Sequence, residues 1–339
     1  MSIRNRAVLL TVLSVLSLAG GAALAAAQRD DGPAPGAGTA AAAAVTAEPS
    51  APVPGTASGS GGASATASRP GSASASASAS ATGSASARAR TRASGTATAA
   101  TDVPTVSTSG LAAPHVFTGK AFDACTAPSL ATMTAWRSAS PYGAAAVYIG
   151  GPTRACGQAN LTSSWVSSVH AAGWELIPLY AGSQADCGGT MGSGSADGAQ
   201  AVADAAALGM RAGSAVYLDM EAYDTSDAAC VQAVTSYVRA WVAAVHARGY
   251  WAGYYSYSHS GTNAIIAAKN AGTPGLPDAL WYADYDGAAD TVSGWPGSGG
   301  QWTGHRRGHQ YTVNSKETYG GRTVTVDRDA WDAPVAVVR

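Results

Sequence analysis

The run Val216-Tyr217-Leu218-Asp219-Met220-Glu221 carries two carboxylates at alternate positions among apolar neighbours. Successive side chains of an extended strand point to opposite faces. Val216, Leu218 and Met220 then share one face, and Tyr217, Asp219 and Glu221 share the other. Carboxylates at i and i+2 lie about 7 Å apart along a strand. Crowded beside an apolar wall, such groups have their pKa values pushed apart, so that one holds a proton while another stays ionised. A proton donor with a carboxylate partner is what glycosidic bond cleavage requires. Asp123, behind Phe122, and Asp327, behind Val326, end other strand-like runs with the same alternation. An isolated Asp-x-Glu is more often a pair satisfied by hydrogen bonds; the strand position, Asp123 and nearby aromatics favour a site.

Strand-like runs that could carry these groups occur at 120–123, 144–150, 174–180, 215–221, 250–256 and 280–284, then at 308–312 and 323–327. Helix-like segments at 128–137, 161–172, 197–212 and 226–248 separate the first five. Thr126 and Asn160 stand near two of their starts, and Gly173, Gly213 and Gly249 stop three of them. Val231, Val234, Val238, Trp241, Val242 and Val245 form one stripe at helical spacing. Strands alternating with helices imply a parallel sheet, here an α/β fold of the irregular TIM-like (β/α) barrel type with eight strands. About ten residues separate the last two strands, fewer than a helical crossover needs, so they join through a hairpin-like turn. The expected barrel has five βα units and a helix-poor final third, with its carboxylates at the carboxyl ends of the strands, where barrel enzymes hold their chemistry.

Composition divides the chain. Arg4 and Arg6 precede a largely apolar run to Ala27 that ends in small residues, the pattern of a secretory signal peptide over 1–27. A retained membrane anchor is the competing reading, since about 20 apolar residues can span a bilayer. Residues 28–114 are almost entirely Ala, Ser, Thr, Gly and Pro, too poor in large apolar groups to offset ordering entropy. A disordered linker is expected there, about 50 Å end to end, serving as a wall tether or a plain spacer. The folded domain is expected over 115–339. A formal net charge of −1, with 20 Lys and Arg against 21 Asp and Glu, argues against a nucleic-acid partner. No glycine-rich phosphate loop precedes a helix, so no cofactor is expected. Cys125, Cys156, Cys187 and Cys230 lack the close spacing of a zinc site; four cysteines in an exported chain suggest two disulfides, with three possible connectivities.

The aromatic supply is mostly Tyr and Trp, which offer ring faces for sugars and a polar handle. Candidates are Tyr148, Tyr180, Tyr223, Tyr254, Tyr255, Tyr257, Trp281, Tyr282, Tyr285, Trp295 and Trp302. Fewer than half are expected to line a groove; Tyr148, Tyr180, Tyr223, Tyr255 and Trp281 are selected as substrate contacts. His305 and His309 with Arg306 and Arg307 read as a solvated loop. His259, between two serines, lacks the acid and elbow motif of a nucleophilic pair.

The runs Ala-Phe-Asp-Ala-Cys-Thr-Ala-Pro-Ser (121–129), Val-Tyr-Ile-Gly-Gly (147–151) and Tyr-Leu-Asp-Met-Glu-Ala-Tyr (217–223) resemble the secreted glycoside-hydrolase-like domain family of high-GC bacteria, a domain of unknown function. The resemblance spans 115–339. More distantly, the Asp-x-Glu, Leu-Trp-Tyr-Ala (280–283), His-Gln-Tyr (309–311) and Val-Asp-Arg-Asp-Ala-Trp (326–331) are similar to the muramidases of glycoside hydrolase family 25. That similarity implies a barrel of eight strands and five helices. It implies Glu221 as general acid, with Asp219 beside it and Asp123 assisting, and Asp284, Asp327 and Gln310 as substrate-orienting groups. The strand order makes neighbours of the loops bearing Cys125 and Cys156, and of those bearing Cys187 and Cys230, so these pairs are expected. The implied substrate is cell-wall glycan, with peptidoglycan first. A non-catalytic wall-binding or remodelling module on the same barrel is the alternative. The expected setting is secreted or wall-associated, without a membrane partner after signal cleavage, and monomeric.

Overall fold

The computed structural model describes residues 108–339. The expected signal peptide and all but the end of the expected linker lie outside these residues. That end belongs to the fold. Residues Thr108–Gly110 form a 3-10 turn, Leu111 packs on the barrel interior, and the Ala112 carbonyl accepts from Trp251 Nε1 at 3.0 Å. The structured domain therefore starts before residue 115.

The elements run β1 (Val116–Asp123), α1 (Leu130–Ala139), β2 (Tyr142–Gly150), α2 (Ser163–Ala171), β3 (Glu175–Ala181), α3 (Gly194–Ala207) and β4 (Ala215–Asp219). Then follow α4 (Ala228–His246), β5 (Trp251–Tyr257), α5 (Asn263–Asn270), β6 (Ala279–Ala283), β7 (Arg307–Tyr319) and β8 (Arg322–Pro334). The strands close into one barrel in chain order. β1 through β7 pair in parallel, and β8 is antiparallel to both neighbours. The last reversal is local: Gly320 and Gly321, at φ 55° and 72°, turn β7 into β8, a conformation that favours glycine.

Alternation sorts the core into two layers. Leu176, Tyr180, Val216, Leu218, Met220 and Tyr254 face outward and pack with Val234, Val238, Trp241 and Val245 of α4. Small inward residues, among them Ala121, Ala144, Ala146, Ala215 and Ala279, leave room inside for Tyr217, Tyr255, Trp281 and Trp331. These large rings meet edge to face, with Trp281 and Trp331 centroids 5.2 Å apart. Gly253 admits the packing, because a Cβ there would lie 2.2 Å from the Tyr217 ring. The barrel is thus plugged by an aromatic floor rather than being a pore.

Side-chain caps set the helix starts, later than the sequence suggests for α1, α2 and α4 and earlier for α3, which begins at Gly194 rather than Asp197. Ser129, Thr162, Ser193 and Asp227 accept from the first-turn amides of α1 to α4. Asn160 instead donates to the Ala127 carbonyl at 2.9 Å, bracing two loops. The fifth helix, α5, has only 8 residues and follows a π-helical turn (Ser258–Thr262) with no side-chain cap, so neither stripe nor cap marks it. The far half of the β7–β8 hairpin lies against α1: Tyr319 meets Trp136 at 5.1 Å, and Trp136 Nε1 donates to the Arg322 carbonyl at 2.9 Å. Buried Glu317 locks it by pairing with Arg328 and accepting from Tyr142 Oη. Disulfides join Cys125 to Cys156 and Cys187 to Cys230, so both expected pairs form. They tie the loop after β1 to the loop after β2, and the loop after β3 to the first turn of α4.

Candidate functional site

Three strands, β1, β4 and β8, bring carboxyl groups to one end of the barrel. Asp123 is the last residue of β1 and pairs in register with Asp327 on β8. Asp219 is the last residue of β4, between Ala181 and Tyr255. Glu221 lies two residues on, exposed at the mouth. Asp329 shares the inward face of β8 with Asp327 and Trp331 and is wholly buried. Among the described residues, no Lys, Arg or His forms an ion pair with any of these five groups.

Polar partners hold the cluster from below. Tyr255 Oη donates to Gln310 Oε1 at 2.8 Å, and Gln310 Nε2 donates to Asp123 Oδ2 at 2.7 Å. Trp281 Nε1 donates to Asp329 Oδ1 at 2.9 Å. Asp329 Oδ2 is buried without a strict hydrogen-bond partner, and Asp123 is the carboxyl group that interacts with it. The Asn314 amide donates to Asp327 Oδ1 at 2.6 Å. Asp219 is 5% exposed, and its Oδ1 is buried with no hydrogen-bond partner.

These surroundings raise every pKa in the cluster. Burial, then Glu221 and Asp123, holds Asp219 well above the usual carboxylate range. Burial, then Asp327, raises Asp123, against the easing effect of Gln310 and Asp329. Burial, then Asp123 and Asp327, holds Asp329 well above the usual carboxylate range. Asp327 is raised by burial, opposed by the Asn314 amide. Glu221 reaches solvent, yet the crowded mouth still raises it by desolvation.

Aromatic rings flank the cluster. Tyr148, half-buried on the inner face of β2, feels Asp219, Asp123, Glu221 and Asp327. On the far side stand Tyr255, Tyr257 and Tyr285; the last two rings are 5.9 Å apart, and Tyr285 is 44% exposed. Tyr285 Oη reaches Gln310 Oε1 at 3.4 Å.

Glu221, Asp219, Asp123, Asp327, Gln310, Tyr148 and Tyr255 are therefore brought together, and four selected residues stand apart from this cluster. Tyr180 faces outward, against Trp241 at 5.6 Å, because inward positions on β3 belong to Ile177 and Leu179. Tyr223 follows the end of β4, so alternation no longer governs it; its hydroxyl is buried and interacts with outward-facing Tyr254. Trp281 has the right face but the wrong depth, being wholly buried in the floor. Asp284 lies one step past Ala283 and turns its carboxylate to Gly294 in the β6–β7 loop. The residues 305–309 are not a solvated loop throughout. Arg307 and His309 are buried: Arg307 lies over Trp295 at 3.9 Å, and the His309 ring nitrogens sit 2.7 Å and 2.8 Å from the carbonyls of Asp290 and Asp284. Both residues pin the β6–β7 loop. Asp329 was the group to add, and its signal was the Asp-Arg-Asp spacing, which keeps it on the face of Asp327. Among the described residues, no group of three or more His, Cys, Asp or Glu is arranged to hold a metal.

The model of the Rv2525c-like, glycoside hydrolase-like domain family matches residues 134–331, more than half of the chain. The chain belongs to this family. The match takes in Asp219, Glu221, Asp327 and Asp329 of the glycoside hydrolase-like domain and starts after Asp123. No curated protein matches the sequence. Solved structures similar to the chain include an uncharacterized B. stearothermophilus protein at 16% identity and TM-score 0.40, covering 63% of this chain and 95% of that one. The catalytic domain of endolysin ply40, from bacteriophage P40 of Listeria monocytogenes, shows 14% identity and TM-score 0.38, covering 63% and 93%. The Clostridium perfringens spore cortex lytic enzyme SleM shows 14% identity and TM-score 0.42, covering 63% and 67%.

Proposed function

We propose that the domain is a glycoside hydrolase acting on cell-wall polysaccharide, peptidoglycan foremost, with Glu221 as the general acid. The observation that carries this reading is five carboxyl groups gathered at one end of the barrel, none of them paired with a Lys, Arg or His among the described residues. At rest the cluster retains protons, because ionising several buried neighbours together is unfavourable. Positive charge developing at an anomeric carbon reverses that balance, and a preorganised anionic site stabilises the transition state more than the ground state. Glu221, the exposed member with a raised pKa, is placed to protonate a leaving oxygen. Asp219, with its unpartnered buried oxygen, and Asp123 supply the negative charge beneath. Tyr148 on one side and Tyr257 and Tyr285 on the other offer ring faces to successive sugars. Two disulfides fit an oxidising compartment, so we place the protein outside the cell, held in or near the wall.

The test is release of reducing sugars from purified peptidoglycan by the wild-type protein and by Glu221→Gln. Release by the wild type with a loss of at least a hundred-fold in the variant is expected. Equal release by both would refute the role of Glu221. No release by either, with retained binding to wall sacculi, would replace the hydrolase by a binding module.

A further inference from the structure

Glu221 stands beyond the sheet that should hold it. The β3–β4 ladder ends at Ala181 and Asp219, and β3 then turns away into the loop before α3. On the other side the Met220 amide still donates to the Tyr255 carbonyl at 3.1 Å. The side facing the vacated rung is filled by a side chain. Gln184 Oε1 accepts from the Glu221 amide at 2.8 Å, and Gln184 Nε2 donates to the Asp219 carbonyl at 3.0 Å. A carboxamide presents the same donor and acceptor as a peptide group, so Gln184 continues the ladder where the backbone has left it. The two bonds bracket Met220 and hold the extended geometry that keeps both carboxylates on one face.

Gln184 is itself anchored. Its Nε2 lies 3.2 Å from the Gly182 carbonyl, and adjacent Ser183 donates through N and Oγ to Asp197 Oδ2 at 3.0 and 2.9 Å. Tyr237 Oη donates to the same oxygen at 2.5 Å, and Cys187, three residues on, is bonded to Cys230. Beyond Glu221, Ser260 Oγ accepts from the Tyr223 amide and donates to the Tyr223 carbonyl, both at 2.9 Å. An irregular segment is thus secured at both ends by side chains from neighbouring loops.

We propose that Gln184 is a positioning residue that holds Glu221 at its working place by substituting for the missing β3 rung, a role resting on Glu221 being the acid. In Gln184→Ala, kcat on peptidoglycan is expected to fall ten- to a hundred-fold with KM within about three-fold, as for a misplaced reacting group. Amide hydrogen exchange at Glu221 is expected to quicken at least about ten-fold, with Met220 unchanged as the folding control. Gln184→Glu repeats the donor–acceptor fork only while its carboxyl is protonated, so its activity relative to wild type should recover as pH falls. A Gln184→Ala protein with kcat within about two-fold of wild type, or with unchanged Glu221 exchange, would overturn the proposal. Should the wild type release no sugar, the hydrolase reading fails by itself; the exchange measurement then decides whether Gln184 holds Glu221.

Discussion

Replacing Asp329 by Asn should stabilise the protein, and by an amount that depends on pH in one direction. Asp329 is wholly buried, and burial with Asp123 and Asp327 raises its pKa well above the usual carboxylate range. Its folded state therefore keeps a proton that the unfolded chain releases. Stability from such a group is fully present below the unfolded pKa and is lost as pH rises towards the folded pKa, by about 1.4 kcal/mol per pH unit for one retained proton. A proton kept throughout sets the ceiling of that loss between pH 5 and pH 7 at about 2.7 kcal/mol. Asn does not titrate, keeps an acceptor for Trp281 Nε1 and keeps a donor towards Asp123. The expected gain of Asp329→Asn over wild type is thus larger at pH 7 than at pH 5, by up to about 2.7 kcal/mol or about 5–11 °C in Tm for a domain of this size. Thermal unfolding of both proteins at the two pH values measures it. An equal shift at both values, or a variant less stable at pH 7, would refute the reading that burial keeps Asp329 protonated in the fold.

Two further outcomes concern the scaffold. Each disulfide closes a long loop, with sequence separations of 31 and 43; reduction should cost about 4 kcal/mol for each on the chain-entropy account, read as a fall in denaturant midpoint. Gly253→Ala places a methyl 2.2 Å from the Tyr217 ring, whose hydroxyl is bonded to the Pro334 carbonyl at 2.8 Å. Overpacking there should cost about 1–3 kcal/mol, and an unchanged Tm would mean the floor is looser than its ring contacts imply.

Much of this molecule follows from local rules. The strand and helix alternation, the glycine stops, the hairpin forced by a short connection and the common face of Asp219 and Glu221 are all consequences of period and length. So is the meeting of Asp123 with Asp327 once the barrel closes in chain order. Face alone does not settle depth, which is why Trp281 reads as a groove residue and proves to be floor. Nor does it resolve a strand whose residues are apolar on both sides: nothing in Glu175–Ala181 marks Tyr180 as outward. Alternation also stops where a strand stops, so Tyr223 and Asp284, each just past a strand end, turn away from the cleft. The sequence by itself determined the barrel, the pairing of its loops by disulfides and the side on which the acids gather. Tertiary structure alone decided that Asp329 is buried among them, that none of them pairs with a Lys, Arg or His among the described residues and that Gln184 bonds the backbone at Glu221. These depend on contacts between residues distant in the chain, whose energies arise only when the closing strands remove the groups from water.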